Sequence, residues 1–360
     1  MPIRTRSRAQ TQRGMTLIEL MISVTIGLFM IAAIGYLYVS SRGAYRSNSA
    51  MARVQEDGRF GLDAITRDAR QVGAAGCNAG ANLQTVAATP LQLPGTGTAI
   101  IYNDPGLAVF GVAPSGYGFP PGPTSAFTAP PQRGTLPAPP PWLAGDVLQM
   151  VIPTSEPISL VADADPVNYT VTLSNNQAKL QPGDYLVVSN CMNASIANVI
   201  AAPTAVGTAG NVQVNLTAGT PLIAPTVVPQ LTVATHATAQ RIDAVTYYVG
   251  QYPGRPWSAL YRYSFTQGVA EEVIDHVENM CVLYGIGAAP PVPASAILPG
   301  TWGNVTSVRI SLQVVGEEQS TANAGAPVLI DPTVTTAIPA PDTRLRQIFT
   351  ATAALRNRVK

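Results

Sequence analysis

One carboxylate, Glu19, stands at the head of a membrane-length apolar run. The run from Leu20 to Ser41 carries no charge, and Arg42 is the first charged residue after it. An ionised carboxylate costs free energy inside a bilayer, so a glutamate at this position needs a compensating interaction. The chemistry that these residues offer is therefore the pairing of charges within an apolar environment, with Glu19 as the acidic partner.

Residues that could support catalysis are few. His236 and His276 have no metal-ligand spacing to each other or to any cysteine. Asp275, His276 and Glu278 lie close together, but a catalytic triad also needs a nucleophile, and the sequence contains no Gly-x-Ser-x-Gly elbow. We interpret these three as polar residues of the protein surface, and we expect neither an enzyme nor a cofactor.

Asp163 and Asp165 resemble the start of a calcium-binding loop. The glycine and the distal glutamate that such a loop requires are missing at the right spacing, and Pro166 follows directly. The sequence therefore predicts neither a calcium site nor another metal site.

The apolar run has the length of a membrane-spanning helix. At about 1.5 Å per residue its 22 residues cover about 33 Å, close to one hydrocarbon core. A secretory signal peptide has an apolar core of only about 7–15 residues. An ordinary signal anchor fits the length, but it explains neither Glu19 nor the Gly14 directly before Met15. The arginines before Gly14 hold the N-terminus in the cytoplasm by the positive-inside rule, so residues after Arg42 are expected in the periplasm or beyond.

The charge balance argues against a nucleic-acid-binding surface over the whole protein. Charged residues make up 11% of the chain, and the net charge is +1. Loss of a 14-residue leader would remove four arginines and no acidic residue, which leaves a net charge of −3. A local basic stripe near the C-terminus is interpreted as part of a solvated strand. Its residues are Arg344, Arg346, Arg356, Arg358 and Lys360.

A long helix is predicted for the N-terminal part, because no proline occurs at positions 3–89 although the chain contains 32. The predicted helix covers residues 15 to about 72. Gly58 and Gly61 are expected to weaken it by ~1 kcal/mol each. Beyond the membrane segment, apolar residues recur at helical intervals and make the second half amphipathic. These residues are Met51, Val54, Leu62, Ile65, Ala69 and Val72.

After residue 90 the sequence changes to short apolar or alternating runs separated by Gly, Pro and Asn, which predicts a mostly antiparallel β domain. Residues 114–141 contain ten prolines and are predicted to form an exposed loop. Residues 201–238 give a weak fold signal. The predicted strands are 146–152, 184–189, 244–249, 259–265, 280–284 and 305–315.

The sequence thus predicts an α+β protein in four segments. They are a leader at 1–14, a membrane helix at 15–41, the amphipathic second half of that helix at 42–76, and a β-rich domain at 77–360. The three cysteines, Cys77, Cys191 and Cys281, permit one disulfide in an oxidising compartment, and their spacing does not choose among the three pairings.

The N-terminal residues resemble the class III signal of type IV prepilins and pseudopilins. The resemblance rests on Gly14-Met15-Thr16-Leu17-Ile18-Glu19-Leu20 behind a basic leader. It implies cleavage between Gly14 and Met15 by a prepilin peptidase, N-methylation of Met15, and recognition of neighbouring subunits through Glu19. Met15 replaces the phenylalanine that is commonest at this position in the family, and cleavage remains expected.

Further stretches of the chain resemble PilW-type minor pilins. They are residues 55–65, 67–70, 73–77, 183–191, 277–280, 282–285, Trp302 before the strand at 308–314, and 348–358. The resemblance implies a type IV pilin-like fold in which the long helix packs on the β-sheet domain. Cys281 stands where a polar residue is expected in that family. The resemblance therefore favours a disulfide between Cys77 and Cys191 and leaves Cys281 as the remaining thiol.

The resemblance also implies a structural role: a minor pilin that primes type IV pilus polymerisation in the inner membrane and lies near the pilus tip at the cell surface. The implied partners are other minor pilins, the major pilin, the prepilin peptidase, the assembly platform, a large tip adhesin and membrane lipid. Two alternatives stay open. One is a minor pseudopilin of type II secretion, and the other is a pilus-displayed adhesin or DNA-binding module. Candidate aromatic platforms for the latter are Tyr247, Tyr248, Tyr261 and Tyr263, for which packing in the core is the favoured interpretation.

Overall fold

The computed structural model describes residues 16–72, 82–85, 91–92, 99–100, 109–111, 140, 142–190, 193–207, 209–216, 231–233, 236–264, 266–293, 296–297, 304–319 and 342–355. The chain forms two compact units, Met1–Ala52 and Arg53–Lys360. Several predictions lie outside the described residues. They concern the leader 1–14, Met15, Cys77, Cys191, the loop 114–141 apart from Pro140, Trp302, and residues 356–360.

The long helix predicted from the sequence is confirmed. This helix, α1, spans Leu17–Gln71 without a break. Residues 17–52 of α1 belong to the first unit, and residues 53–71 belong to the second unit. The described part of the first unit consists of Thr16 and these residues of α1. The absence of proline throughout α1 lets every interior amide take part in the helical hydrogen-bond ladder.

The rest of the second unit is built from β-strands, and the six predicted strands overlap six of the strands observed. The strands are β1 (Asn82–Thr85), β2 (Leu91–Gln92), β3 (Ala99–Ile100), β4 (Val109–Gly111), β5 (Trp142–Pro153), β6 (Ile158–Ser159), β7 (Thr170–Leu173), β8 (Tyr185–Ser189), β9 (Asn193–Asn198), β10 (Thr204–Val206), β11 (Asn211–Asn215), β12 (Thr238–Gly250), β13 (Ala259–Ser264), β14 (Val269–Asp275), β15 (Val277–Ile286), β16 (Val292–Pro293), β17 (Val305–Gln319) and β18 (Arg344–Ala354).

The described strands form sheets that are mostly antiparallel, which confirms the predicted fold class. The largest sheet has nine strands, with the order β1-β9-β8-β12-β13-β14 and further pairing of β4 with β5 and of β5 and β6 with β12. A four-stranded sheet has the order β16-β15-β17-β18, and the smaller sheets are β10-β11-β7 and β2-β3. The pairing of β1 with β9 is parallel.

The main hydrophobic core of the second unit joins α1 to the two larger sheets. Val54, Leu62, Ile65 and Ala69 are between 0% and 8% exposed and pack with apolar side chains of β5, β12, β15 and β17. The period of about 3.6 residues places these four side chains on one face of the helix. Met51, which belongs to the first unit, was predicted to share that face, but it is 44% exposed.

Two smaller cores complete the second unit. One is formed by buried aliphatic side chains around β7, β8, β9 and β11. The other is rich in tyrosine and consists of Val147, Tyr248, Ala259, Tyr261 and Tyr263. The rings of Tyr248 and Tyr261 lie side by side because these residues are opposite each other on β12 and β13, with ring centroids 5.9 Å apart.

Gly58 and Gly61 set how closely α1 approaches the sheets. A methyl group at Gly58 would overlap the ring of Phe349 on β18, and one at Gly61 would lie 2.6 Å from Cδ1 of Ile274. Both glycines are buried inside an unbroken helix. Their low helix propensity is therefore offset by packing that a larger residue would prevent.

Gly58→Ala is expected to lower the free energy of unfolding by about 1–3 kcal/mol, because overpacking against Phe349 outweighs the gain in helix propensity. Gly43→Ala is the matched control, since the space beside Gly43 on α1 is open. Thermal unfolding of the full chain in detergent measures both changes. A Gly58→Ala protein as stable as Gly43→Ala would show that the close approach does not matter.

Candidate assembly surface

Thr16 caps the N-terminus of α1. Its carbonyl oxygen accepts the first helical hydrogen bond from the Leu20 amide at 3.1 Å, and its Oγ1 accepts a bond from the Glu19 amide at 3.4 Å. Thr-x-x-Glu is the sequence of a capping box, in which the side chain at the cap satisfies an amide of the first turn. Glu19 thereby lies in the first turn, where the helix dipole favours a negative charge.

The apolar side chains of α1 in the first unit have no cover within the described part of the chain. From Leu17 to Val39 the large apolar side chains are between 53% and 78% exposed. This stretch is long and apolar enough to cross a membrane. Ser23 and Thr25 donate their hydroxyl hydrogens to the backbone oxygens of Glu19 and Ile22, so they add no unpaired polar group.

Glu19 is exposed on this apolar stretch. Among the described residues, no ion pair or side-chain hydrogen bond involves its carboxylate. An apolar surface that carries one carboxylate is suited to contact with lipid or with apolar helices that bring a cation. We call residues 17–39, with Glu19, the assembly surface.

The second part of α1 is attached to the large sheet through a carboxylate. Asp68 Oδ2 accepts hydrogen bonds from the Tyr247 hydroxyl of β12 at 2.8 Å and from Arg262 Nε of β13 at 2.9 Å. The side chain of Asp68 is 14% exposed and that of Arg262 is 25% exposed. Burial, together with the Asp68 carboxylate, raises the pKa of Tyr247, so its hydroxyl stays protonated as a donor.

The last strand, β18, is held by an ion-pair network that includes two residues of the predicted basic stripe. Arg346 donates to both carboxylate oxygens of Glu278 at 2.7 and 2.8 Å and to Asp342 at 2.6 Å. Arg344 donates to Asp342 at 2.7 Å, and Gln313 donates to Glu278 at 2.9 Å. Arg344 and Arg346 therefore lie on a strand, as predicted, and neutralise acidic neighbours. The side chain of Arg344 is 26% exposed, whereas that of Arg346 is 3% exposed and is not solvated.

The three residues considered for catalysis do not form a triad. Asp275 and His276 are adjacent, with 3.2 Å between Oδ1 and Nδ1, but both oxygens of Glu278 accept hydrogen bonds from Arg346. His236 lies at a turn with φ of 53°. These contacts serve the attachment of strands and loops.

Asp163 and Asp165 stabilise loops. Asp163 Oδ1 accepts a hydrogen bond from the Val233 amide at 2.9 Å, and Asp165 Oδ1 accepts bonds from the amides of Val167 and Asn168. The hydrogen bonds to Asp165 form an Asx turn, in which the side-chain carboxylate replaces a backbone acceptor. Among the residues that the structure describes, no group of three His, Cys, Asp or Glu could hold a metal ion.

The four tyrosines considered as aromatic platforms are core residues. Their side chains are between 0% and 2% exposed, which agrees with the favoured interpretation of packing in the core; the residues are Tyr247, Tyr248, Tyr261 and Tyr263. Cys281 is buried in β15 at 6% exposure, whereas the Cys77–Cys191 disulfide stays a prediction.

Sequence patterns did not indicate a second aromatic group, which lies in the loop between β12 and β13. Tyr252, Arg255 and Trp257 contact one another there, and Trp257 is 36% exposed. Asp68 was also not singled out, although it makes the main polar contact of the helix. Its partners lie 179 and 194 residues away in the sequence, so local spacing carries no signal for this contact.

Comparisons with known proteins match two parts of the chain. Residues 246–357 match the family of the type IV pilus-assembly protein W, and residues 10–35 match the prokaryotic N-terminal methylation motif. A type IV-like pilin from Thermus thermophilus aligns with 50% of this chain and 86% of its own at 17% identity, but the TM-score of 0.21 is too low to indicate a shared arrangement. No curated protein matches.

A methylation motif that overlaps an apolar helix long enough to cross a membrane is typical of membrane-anchored proteins of the type IV pilin class, to which this chain is similar. Within that class, the C-terminal part of the chain is similar to PilW-type pilus-assembly proteins over residues 246–357.

Asp68→Ala is expected to lower the free energy of unfolding by about 2–3 kcal/mol. It leaves Arg262 unpaired, and the effect is smaller than for a fully buried pair because a quarter of the Arg262 side chain is exposed. Asp63→Ala is the matched control: Asp63 pairs with Arg67 on the exposed face of the same helix, and its loss costs about 0.5 kcal/mol or less. Chemical unfolding of the full chain distinguishes the two, and equal losses would contradict a special role for Asp68.

Acidification is expected to weaken the attachment of β18. The hydrogen bond from Arg346 holds the pKa of Asp342 well below its ordinary value of 3.8. The stability that Asp342 contributes is thus complete above that value and is lost progressively as the pH falls from it towards the lowered pKa of the folded state, because the unfolded chain takes up the proton first. Between pH 5 and pH 3, unfolding experiments should show a steeper loss of stability in wild type than in Asp342→Asn. Parallel pH profiles of wild type and Asp342→Asn would refute a contribution of the Asp342 carboxylate to stability.

Proposed function

We propose that this protein primes type IV pilus polymerisation by packing its assembly surface against the N-terminal helices of other minor pilins in the inner membrane, and that it occupies a place near the pilus tip. The observation that carries the proposal is the exposed apolar surface of residues 17–39, which bears the single carboxylate Glu19. The family matches support a pilus-assembly setting for that surface.

The assembly surface needs apolar partners because water is a poor environment for it. Burial of apolar area contributes about 25 cal/mol per Å², so the side chains of residues 17–39 favour lipid or neighbouring helices strongly. In lipid, helix association depends on close packing, on polar contacts and on small residues. Gly27 and Gly35 lie within this surface, with open space where a Cβ atom would stand, so a neighbouring helix can approach there.

Glu19 gives this otherwise non-directional contact a defined register. A carboxylate at membrane depth costs about 2.5–3.5 kcal/mol on insertion scales, and a nearby cation removes most of that cost. After cleavage between Gly14 and Met15, the N-methylated amine of Met15 in one subunit would provide such a cation for Glu19 of its neighbour. The Thr16 cap supports this role, because it fixes Glu19 one turn from the new terminus.

The other function classes have less support. The aromatic platform suggested for a DNA-binding module is buried, since its four tyrosines are at most 2% exposed. A type II secretion pseudopilin shares the N-terminal motif, and the match of residues 246–357 to a pilus-assembly family favours the pilus.

The test compares a deletion strain complemented with wild type, Glu19→Ala or Asp63→Ala. Wild type and Asp63→Ala should restore surface pili and twitching motility. Glu19→Ala should be processed and inserted normally but should fail to restore either, because the charge partner of the neighbouring subunit is lost. Immunoblots of membrane and sheared-pilus fractions measure processing and assembly separately.

Two results would overturn the proposal. Normal piliation in the Glu19→Ala strain would remove the role of this carboxylate. Normal pili in the deletion strain, together with loss of secretion of an exoprotein, would assign the protein to type II secretion.

A further inference from the structure

The part of α1 directly after the apolar run carries positive charge and no negative charge. Arg42 and Arg46 are the first charged residues after Glu19, and no acidic residue occurs before Glu56. Within the part of the chain that the structure describes, neither arginine forms an ion pair or a side-chain hydrogen bond. A guanidinium is permanently charged and offers five N–H donors, so both arginines are available to an anion from outside the chain.

Two tyrosines lie on the same face of α1 as these arginines. Arg42 follows Tyr38 by one turn, and Tyr45 and Arg46 follow Arg42 by one turn. Residues three or four positions apart are neighbours on a helix surface. All four side chains are exposed, with Tyr38 at 59% and Tyr45 at 76%. We call these four residues the tyrosine–arginine face.

The side chain of Arg42 is directed back towards the apolar run. Its guanidinium carbon lies 5.4 Å from the centroid of the Tyr38 ring, and Tyr38 is one turn nearer to the run. A cation–π contact of this kind orients the guanidinium plane but does not use its N–H donors. Arg42 therefore presents oriented donors beside the end of the apolar segment.

The tyrosine–arginine face begins where the hydrocarbon layer of a membrane would end. The charge-free run at 20–41 covers about 33 Å, close to one hydrocarbon core, so Arg42 follows at the level of the lipid headgroups when α1 spans a bilayer. Tyrosine is enriched at this level because its ring is apolar and its hydroxyl is polar. The position and the composition of the face both fit a headgroup layer.

The charges at this end of the run oppose the usual bias of membrane helices. Arginine and lysine are concentrated on the cytoplasmic side of such helices. In the orientation expected from the basic leader, however, Arg42 and Arg46 lie on the periplasmic side. Cleavage after Gly14 would also remove the four arginines of the cytoplasmic side. Two arginines placed against this bias indicate a negatively charged partner at the outer boundary of the membrane.

We propose that Tyr38, Arg42, Tyr45 and Arg46 bind the headgroup of an anionic phospholipid in the periplasmic leaflet of the inner membrane. The guanidinium groups donate hydrogen bonds to the phosphate oxygens, and the tyrosine rings pack at the level of the glycerol. A lipid fits better than a carboxylate of a neighbouring helix, because exposed tyrosines suit the boundary between hydrocarbon and water. The proposal rests on the membrane insertion in the proposed function and adds a ligand of the unassembled subunit.

The test is native mass spectrometry of the full chain released from neutral detergent micelles. The micelles contain equal amounts of phosphatidylglycerol and phosphatidylethanolamine with identical acyl chains, so that only the headgroup differs. Wild type should retain phosphatidylglycerol over phosphatidylethanolamine by about tenfold or more, because each basic residue near an anionic headgroup contributes about fivefold.

Variants of the two arginines test the chemistry of the site. The double variant Arg42→Gln/Arg46→Gln should retain the two lipids equally. Arg42→Lys/Arg46→Lys should keep part of the preference, since the charge remains but the planar donors and the stacking on Tyr38 are lost. Arg59→Gln is the matched control: it removes the same charge from an exposed position 13 residues farther along α1 and should behave as wild type. Circular dichroism verifies that each variant is folded.

Two outcomes would overturn the lipid site. Equal retention of both lipids by wild type would leave a carboxylate of a neighbouring helix as the partner of the arginines. A preference that persists in Arg42→Gln/Arg46→Gln, or that is lost equally in Arg59→Gln, would show that this face does not bind the headgroup.

The lipid site and the proposed function can fail separately. Glu19→Ala should retain phosphatidylglycerol as wild type does, because Glu19 is remote from the tyrosine–arginine face on α1. If Glu19→Ala abolishes piliation while wild type shows no lipid preference, the proposed function stands and the lipid site alone fails. If the preference is found while Glu19→Ala strains make normal pili, the reverse holds.

Discussion

The ion pair between Asp68 and Arg262 fixes where the second part of α1 lies on the large sheet. Apolar packing alone is non-directional, and a helix with a stripe of small and aliphatic side chains could shift along a flat sheet at modest cost. A partly buried carboxylate is different, because it must meet its arginine and its tyrosine hydroxyl together or remain unsatisfied. Asp68 thus selects one register, and Gly58 and Gly61 permit the close approach that this register needs.

A carboxylate that needs a partner in an apolar environment also occurs at the assembly surface. Glu19 is a carboxylate in an apolar setting, as Asp68 is, but within the described residues it has no cationic partner. Asp68 is neutralised by folding, whereas we infer that Glu19 is neutralised by assembly. On this inference, one helix contains two charges that specify position, Asp68 within the subunit and Glu19 between subunits.

The features with local periodicity were predictable from the sequence. The proline-free helix followed from composition, and β17 followed from its alternation: Val308, Ile310, Leu312 and Val314 are all fully buried. By contrast, β18 was predicted only as a solvated strand that carries the basic stripe, because its pairing with β17 and its ion pairs with Glu278 are long-range contacts.

The polar and aromatic sites depend on long-range contacts, and for that reason the sequence did not predict them. Gly58 and Gly61 looked like weak points of the helix until the positions of Phe349 and Ile274 were known. The cluster at Trp257 depends on Glu272 of β14 and on His276, which directly follows β14. Glu19 is the exception among the site residues, because a single charged residue within an apolar run can be recognised from the sequence alone.

The pairing of Glu19 across subunits is tested most directly by the structure of this protein bound to another pilin in the membrane or in the pilus. The informative quantity is the distance from the Glu19 carboxylate oxygens to the N-terminal nitrogen of the adjacent subunit. Neutralisation by assembly predicts a separation within about 4 Å, the range of an ion pair. A Glu19 carboxylate directed to lipid or to its own helix, with no cationic nitrogen of a neighbour within that range, would contradict it.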